Sequence, residues 1–235
     1  TPGGSLEHYD GLLRITDAQG RIVEDMIPPE DYQRVIGEAV EDFSYMKFPY
    51  FKPMGYPQGI YRVGPLARLN NAEACGTPYA DVALAEFRML QEDGPVSSSF
   101  HYHYARLVEI IFAIETMERL LRDPHILDTR VRARARGNSD VGIGVAEAPR
   151  GTLLHHYKID DDGLIEWVNL IIATGHNNLA MNQSIRQVAE AYVDGNKLEE
   201  GMLNRVEAVI RCYDPCLSCA SHAFGQMPLK IQLKD

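Results

Sequence analysis

A long run of helical periodicity constrains this chain more than any other feature. Apolar residues recur three and four apart from His101 to Arg122, and again from Asp81 to Gln91. That spacing gathers them on one stripe of a helix, which must be buried against another element. Asp123–Pro124 ends the longer segment, because a proline disfavours helical backbone at the residue before it. Asn178–Tyr192 and Leu198–Cys212 are predicted as two further helices, parted by Asp194-Gly195-Asn196. A last helical pattern runs through Asp31–Phe43, opened by Pro28 near the first turn, where a missing N–H is tolerated.

Strand signals are shorter. YDGLLRITDAQGRIVEDM alternates apolar residues on either side of Asp17–Gly20, which signals a hairpin. LLHHYKIDDDGLIEWVNLIIAT reads as two strands around the Asp161–Gly163 turn. Between Tyr45 and Asn71, Pro49, Pro53, Pro57 and Pro65 alternate with Gly55, Gly59 and Gly64, so a coil pinned to the core by its aromatics is expected. Arg130 to Arg136, with arginine at every second position, reads as one charged strand face on a solvated edge. The zones are residues 1–80, rich in turns; 81–125, helical; 126–212, a hairpin plus helices; 213–222, a cysteine motif; and the tail 223–235. No linker composition separates them. The expected fold is α+β and mainly helical, a helix bundle with small β-hairpins in one body.

Charge and cysteine usage exclude several functions. With 33 acidic against 23 basic residues and a net charge of −10, the chain lacks the clustered cations that a nucleic-acid partner requires. No apolar run approaches the roughly 18 residues of a membrane span. The first residues, TPGGSLEHYDG, have neither the basic flank nor the apolar stretch of a signal peptide, and read as an abrupt start. Three of the four cysteines, Cys212, Cys216 and Cys219, crowd near the end, a poor layout for a disulfide scaffold. Thiols kept reduced in a cytoplasm suit it better. Cys75 stands alone and is expected as a small buried hydrophobe.

Cys216-Leu-Ser-Cys219 follows Pro215, which stops the preceding helix, so both thiols belong to a turn. Two thiolates at this spacing can converge on one metal. The pair alone also suits a structural zinc module, although no second C-x-x-C or histidine pair supplies the other two ligands. A dithiol oxidoreductase is a further reading, but its motif should follow a strand and open a helix.

Asp214-Pro215-Cys216-Leu-Ser-Cys219-Ala-Ser-His222 resembles the D-P-C-x-x-C-x-x-H signature that closes nickel–iron hydrogenase large subunits. Glu147-Ala148-Pro149-Arg150-Gly151 resembles that family's E-A-P-R-G signature, in the same order along the chain. APRGTLLHHY, RVGPLARLN and SYMKFPYFK are most similar to its soluble, cofactor-coupled branch, which includes bidirectional NAD-reducing enzymes. The resemblance implies the catalysis of H2 ⇌ 2H+ + 2e− at a nickel–iron centre held by four cysteines, whose iron carries CO and cyanide. Soft thiolates suit both metals. Carried over, Cys216 becomes a terminal nickel ligand and proton acceptor, and Cys219 a bridge. Arg150 would stand beside the open coordination position, Pro149 against the diatomic ligands, and Thr174 as a hydroxyl donor to cyanide. Relatives place a proline before that hydroxyl; here it is Ala173. Asp214 would cap the cysteine turn or hold Arg150, and His222 would bind a structural magnesium. The implied partners are a small subunit with iron–sulfur clusters, diaphorase subunits and a maturation endopeptidase. A cysteine-free, non-catalytic member of the same fold is disfavoured by Cys216 and Cys219.

Two departures shape the expectation. The family's other cysteine pair, an R-x-C-x-x-C motif, is absent from these residues. The chain therefore reads as the C-terminal part of a large subunit or as a degenerate paralogue, expected by itself to be inactive and metal-free. Thirteen residues, Ala223 to Asp235, follow His222, where relatives are cut by the endopeptidase, so the tail is expected to be a retained propeptide.

Overall fold

A computed structural model describes residues 4–132, 139–197 and 199–220. In chain order its elements are β1 (Leu13–Thr16), β2 (Ile22–Ile27), α1 (Tyr32–Val35), β3 (Ile36–Glu41), β4 (Ser44–Phe51), α2 (Pro65–Asn71), α3 (Pro78–Arg88) and α4 (His101–Leu121). They continue with β5 (Val141–Ala148), β6 (Gly151–Ile159), β7 (Ile165–Ile171), α5 (Ala173–His176), α6 (Asn178–Tyr192), α7 (Glu200–Tyr213) and α8 (Leu217–Ala220). Helices joined by small sheets are the architecture the sequence led us to expect.

The chain divides into two units, each assembled from separate stretches. One takes the residues up to Pro28, then Pro65–Gly144 and His155–Asn169; the other takes Pro29–Gly64, Val145–Leu154 and the residues from Leu170 on.

In the first unit, β1 and β2 form the expected antiparallel hairpin. Asp17 Oδ1 accepts from the Gln19 and Arg21 amides, each at 2.9 Å, and Gly20 supplies the positive φ of the turn. The expected helices α3 and α4 pack together, and α4 also packs on α2. Leu66, Leu69, Leu84, Phe87, Tyr102, Ala105 and Val108 are buried in this core. Glu115 of α4 accepts from the Tyr79 and Ala80 amides at 3.0 and 2.9 Å, satisfying two otherwise orphaned N–H groups at the start of α3. Arg68 and Glu109 form a double hydrogen bond at 2.6 and 2.8 Å inside the same unit. Cys75 is buried as expected, and burial, followed by the Asp81 carboxylate, pushes its thiol up to about 11, which makes it unreactive.

The second unit corrects two expectations. The helix expected over Asp31–Phe43 is confined to α1; from Ile36 the chain is a strand. The segment expected as coil from Tyr45 begins with its partner, β4. Their antiparallel register sets Ile36 opposite Phe51, Glu38 opposite Pro49, and Ala39 opposite Phe48. VIGEAVEDF fits both a helical and an alternating pattern, and pairing with an aromatic strand decided between them. Pro49 is tolerated because this sheet has only two strands, leaving an edge that needs no donor. α5 and α6 pack on β4, and α6 packs on α7. The Tyr213 hydroxyl lies 2.8 Å from Ser184 Oγ, tying α7 to α6.

The hairpin expected around Asp161–Gly163 is β6 and β7, within a three-stranded sheet ordered β5-β6-β7. β5 was not anticipated: VGIGVAEA has too many small residues to announce a strand. His155 and His156 leave opposite faces, the first 2.9 Å from the Tyr157 hydroxyl and the second edge-on to Trp167. The arginine-rich strand face lies largely in residues 133–138, outside the described residues.

Candidate metal centre

Pro149 and Arg150 form the two-residue connection between β5 and β6. Gly151, which follows, has φ +144°, and a Cβ there would lie 2.3 Å from Val63 Cγ2 and 3.1 Å from the Gly64 nitrogen. Only glycine permits this approach, and it fixes where Arg150 emerges. Arg150 Nε donates to the Asp214 backbone oxygen at 2.6 Å and lies 3.1 Å from Asp214 Oδ2. Both contacts use Nε; a guanidinium has four further N–H donors. Pro149 itself is exposed.

Asp214 closes α7 in the left-handed conformation, φ 49° and ψ 53°, with its amide donating to the Arg211 carbonyl at 3.0 Å. A short polar side chain makes that conformation tolerable for a non-glycine residue. Pro215 cannot extend the helix, so the chain turns directly into Cys216. The Cys216 amide donates to Thr174 Oγ1 at 3.1 Å, and its Sγ lies 3.6 Å from Ser218 Oγ. Cys216 is half-buried, and neither it, Cys75 nor Cys212 is in a disulfide. Hydrogen bonds thus connect Arg150 to Asp214 and Thr174 to Cys216, two residues further on. Cys219 lies on α8, but its side chain and all of His222 lie outside the described residues.

Among the described residues no three His, Cys, Asp or Glu side chains converge as a complete metal nest. The donor set still suits a soft metal: a half-buried thiol on a turn whose backbone is fixed by Thr174, with a guanidinium on the neighbouring Asp214. Thr174 accepts from Cys216 and keeps its own hydroxyl proton to donate elsewhere.

Sequence reasoning missed a buried polar cluster around α5. Thr174, His176, Asn177 and Asn178 are each at most 3% exposed. Asn177 Oδ1 accepts from the Val63 amide at 2.9 Å, and Asn178 Nδ2 donates to the Lys47 carbonyl at 3.1 Å. Lys47 Nζ pairs with Glu38 at 2.6 Å, and the Tyr61 hydroxyl meets His176 Nδ1 at 2.5 Å. The available signal was the polar run T-G-H-N-N directly after the apolar strand β7, where surface residues would not be expected to follow without a turn.

Burial depresses the His176 pKa to about 4; the Ile171 carbonyl opposes this and Lys47 adds to it. The sign follows from linkage. Unfolded His176 binds a proton below its ordinary value near 6.5, whereas the folded residue does not until about pH 4. Its contribution is therefore present above pH 6.5 and lost as pH falls from there towards 4. The loss amounts to about 3 kcal/mol. Urea unfolding between pH 7 and pH 4 should show a declining stability that His176→Gln flattens; an unchanged acid limb in the variant would contradict the assignment.

A sequence profile described as nickel-dependent hydrogenase matches residues 18–222. The chain belongs to this hydrogenase family. Over 234 residues it is 44% identical to the NAD-reducing hydrogenase HoxS subunit beta of Cupriavidus necator, covering 98% of this chain and 48% of that relative. It is 41% identical over 230 residues to a chain of the F420-non-reducing hydrogenase of Methanothermobacter thermautotrophicus, covering 96% of this chain and again 48% of the relative. Among solved structures, an NAD+-reducing [NiFe]-hydrogenase in the H2-reduced state superposes with a TM-score of 0.87 at 46% identity, over 93% of this chain and 48% of that one. The nickel–iron–selenium hydrogenase of Desulfomicrobium baculatum, at 23% identity and a TM-score of 0.51, shares the fold, over 94% of this chain and 43% of that one. The chain thus spans about half the length of the curated relatives it matches. The α+β large-subunit fold and the family resemblance read from the sequence are both correct.

Proposed function

We propose that this chain is the part of a hydrogenase catalytic subunit that supplies Cys216 and Cys219 as two of four thiolate ligands to a nickel–iron centre interconverting H2 with protons and electrons. The observation that carries the reading is the joined geometry of the two signature motifs: Arg150, from the β5–β6 turn, hydrogen-bonds Asp214, two residues before Cys216.

When bound, the metal pair supplies the redox and Lewis-acid chemistry that no side chain here offers. The protein's own residues then have definite tasks. Cys216 and Cys219 would hold the metals through their thiolates, and Cys216 Sγ would also take up a proton and pass it on. Arg150 presents a permanent positive charge and planar N–H donors where charge develops in the reaction. Asp214 holds that guanidinium through Nε, as a residue around a metal site orients those nearer to it. Thr174 fixes the Cys216 amide, and its hydroxyl proton would be free to donate to an acceptor such as a cyanide nitrogen, with Pro149 beside the diatomic ligands. The iron would carry CO and cyanide, and His222 would hold a structural magnesium.

The family relation to NAD-reducing enzymes supports a small subunit with iron–sulfur clusters as electron partner and diaphorase subunits beyond it. No helix among the described residues is long and apolar enough to cross a membrane. A reducing cytoplasm is the proposed location, because the thiols must stay reduced to bind metal. The tail after His222 is proposed as the substrate of a maturation endopeptidase; the mass of the mature native protein should then end at His222, and a mature form retaining the tail would overturn this.

These 235 residues hold one C-x-x-C pair, and two thiolates do not make a four-sulfur cage. Elemental analysis of the purified chain alone is therefore expected to show neither stoichiometric nickel nor iron, and gas-phase assay no H2 turnover. One zinc per chain, lost in Cys216→Ser and indifferent to Arg150, would point instead to a structural zinc module.

A further inference from the structure

We propose that Asn177 is a positioning residue for Arg150, acting through the backbone of Val63. The inference deepens the catalytic reading above and rests on it. Residues 60–63 belong to neither helix nor strand. Asn177 meets them as a neighbouring strand would. The Val63 amide donates to Asn177 Oδ1 at 2.9 Å, and Asn177 Nδ2 donates to the Val63 carbonyl at 3.4 Å. One carboxamide thus grips both polar backbone groups of one residue, which fixes the direction of the chain there as well as its place. Asn177 is 2% exposed, so water competes little for either bond. Two residues before Val63, the Tyr61 hydroxyl lies 2.5 Å from His176 Nδ1, a second tie between the same two stretches.

What rests on Val63 is the turn that carries Arg150. A Cβ on Gly151 would lie 2.3 Å from Val63 Cγ2, 3.0 Å from Val63 Cβ and 3.1 Å from the Gly64 nitrogen. Chain packed that closely has no slack, so a shift of Val63 is passed to Gly151 and to the residue before it. Arg150 is then held at both ends, at its backbone by this contact and at Nε by Asp214. Thr174, three residues before Asn177, accepts from the Cys216 amide at 3.1 Å. The short stretch from Thr174 to Asn177 therefore fixes Cys216 with one end and the base of Arg150 with the other.

A matched clamp elsewhere supplies the control. The Val96 amide donates to Asn70 Oδ1 at 3.0 Å, and Asn70 Nδ2 donates to the Val96 carbonyl at 2.9 Å. Asn70 and Val96 belong to the first unit, whereas Asn177, Arg150 and Cys216 belong to the second. A role in stability alone would make the two asparagines equivalent.

The test uses a full-length hydrogenase carrying this chain, with Asn177→Ala, Asn70→Ala, Arg150→Leu and the double variant Arg150→Leu/Asn177→Ala. Amide exchange read by peptide mass spectrometry should quicken about tenfold or more at Val63 in Asn177→Ala, and at Val96 in Asn70→Ala. Turnover should fall about ten- to hundredfold in Asn177→Ala, the size of loss that a small misplacement produces. It should stay within about threefold of the parent in Asn70→Ala. In the double variant it should lie within about threefold of Arg150→Leu alone, because the two residues act as one unit. The infrared band of the iron-bound CO should move in Asn177→Ala in the same direction as in Arg150→Leu, and stay in place in Asn70→Ala. Val63→Ala serves where Asn177→Ala does not fold. It leaves the backbone bonds to Asn177 but removes the side chain beneath Gly151, and should give the same band shift with a smaller loss of rate. Equal losses in Asn177→Ala and Asn70→Ala, losses that multiply in the double variant, or an unmoved band in both Asn177→Ala and Val63→Ala would overturn the proposal and leave the catalytic reading standing. Unchanged turnover in Arg150→Leu would overturn both.

Discussion

Arg150→Leu is expected to lower H2 turnover about a hundred- to thousandfold in a full-length hydrogenase carrying this chain, the loss typical of a preorganised donor to developing charge. Nickel and iron contents should stay at the level of the parent, because Arg150 donates hydrogen bonds and ligates nothing. Its position depends on two features. Gly151 lets the β5–β6 turn pass against Val63, and Asp214 holds Nε from the end of α7 at 2.6 Å through its carbonyl and 3.1 Å through its carboxylate. Arg150→Lys keeps the charge but loses the planar fork, so it should recover only part of the rate. Asp214→Asn should lie between the parent and Arg150→Leu. It tolerates the left-handed cap and leaves the backbone carbonyl in place, but it removes the carboxylate contact. Turnover in Arg150→Leu within threefold of the parent would show that the guanidinium is structural.

Glu109→Ala should destabilise the chain by about 3–5 kcal/mol, because it leaves a buried guanidinium without its carboxylate. Arg68 and Glu109 side chains are 7% and 12% exposed and joined by two hydrogen bonds. Removing both charges is a different matter. Arg68→Met combined with Glu109→Leu should recover most of the loss, since neither ion then has to be desolvated. The exposed pair Arg186–Glu190, at 80% and 63%, provides the contrast. Glu190→Ala should cost no more than about 0.5 kcal/mol. Urea denaturation of the three variants measures all of this; a cost below about 1 kcal/mol for Glu109→Ala would mean that water reaches Arg68 in the folded state.

What the sequence made legible was whatever depends on near neighbours. α4, α6 and α7 emerged from their periodicity, and the Asp17–Gly20 and Asp161–Gly163 hairpins from their turn residues. β3 was misread as helix because its fate depends on β4: Ile36 pairs with Phe51 across the hairpin, and no window within β3 contains that contact. β5 was missed because its glycines and alanines carry little strand preference. At the site, the positions of the two signature motifs were readable, and with them the family. The cluster around α5 was not, because its bonds join residues far apart in sequence: Tyr61 with His176, Val63 with Asn177, and Lys47 with Asn178. The hydrogen bond from Cys216 to Thr174 is of the same kind. Resemblance had marked the hydroxyl, and the fold shows which backbone group it holds.

The account stands on Cys216 and Cys219 being half of a nickel–iron nest whose other half lies outside these residues. Nickel and iron content of a full-length hydrogenase carrying this chain, with and without Cys216→Ala, tests this most directly. The expected result is one nickel and one iron in the parent, nickel reduced to background in Cys216→Ala, and no stoichiometric metal in the 235-residue chain alone. Full nickel content in Cys216→Ala, or stoichiometric nickel and iron in the isolated chain, would contradict it.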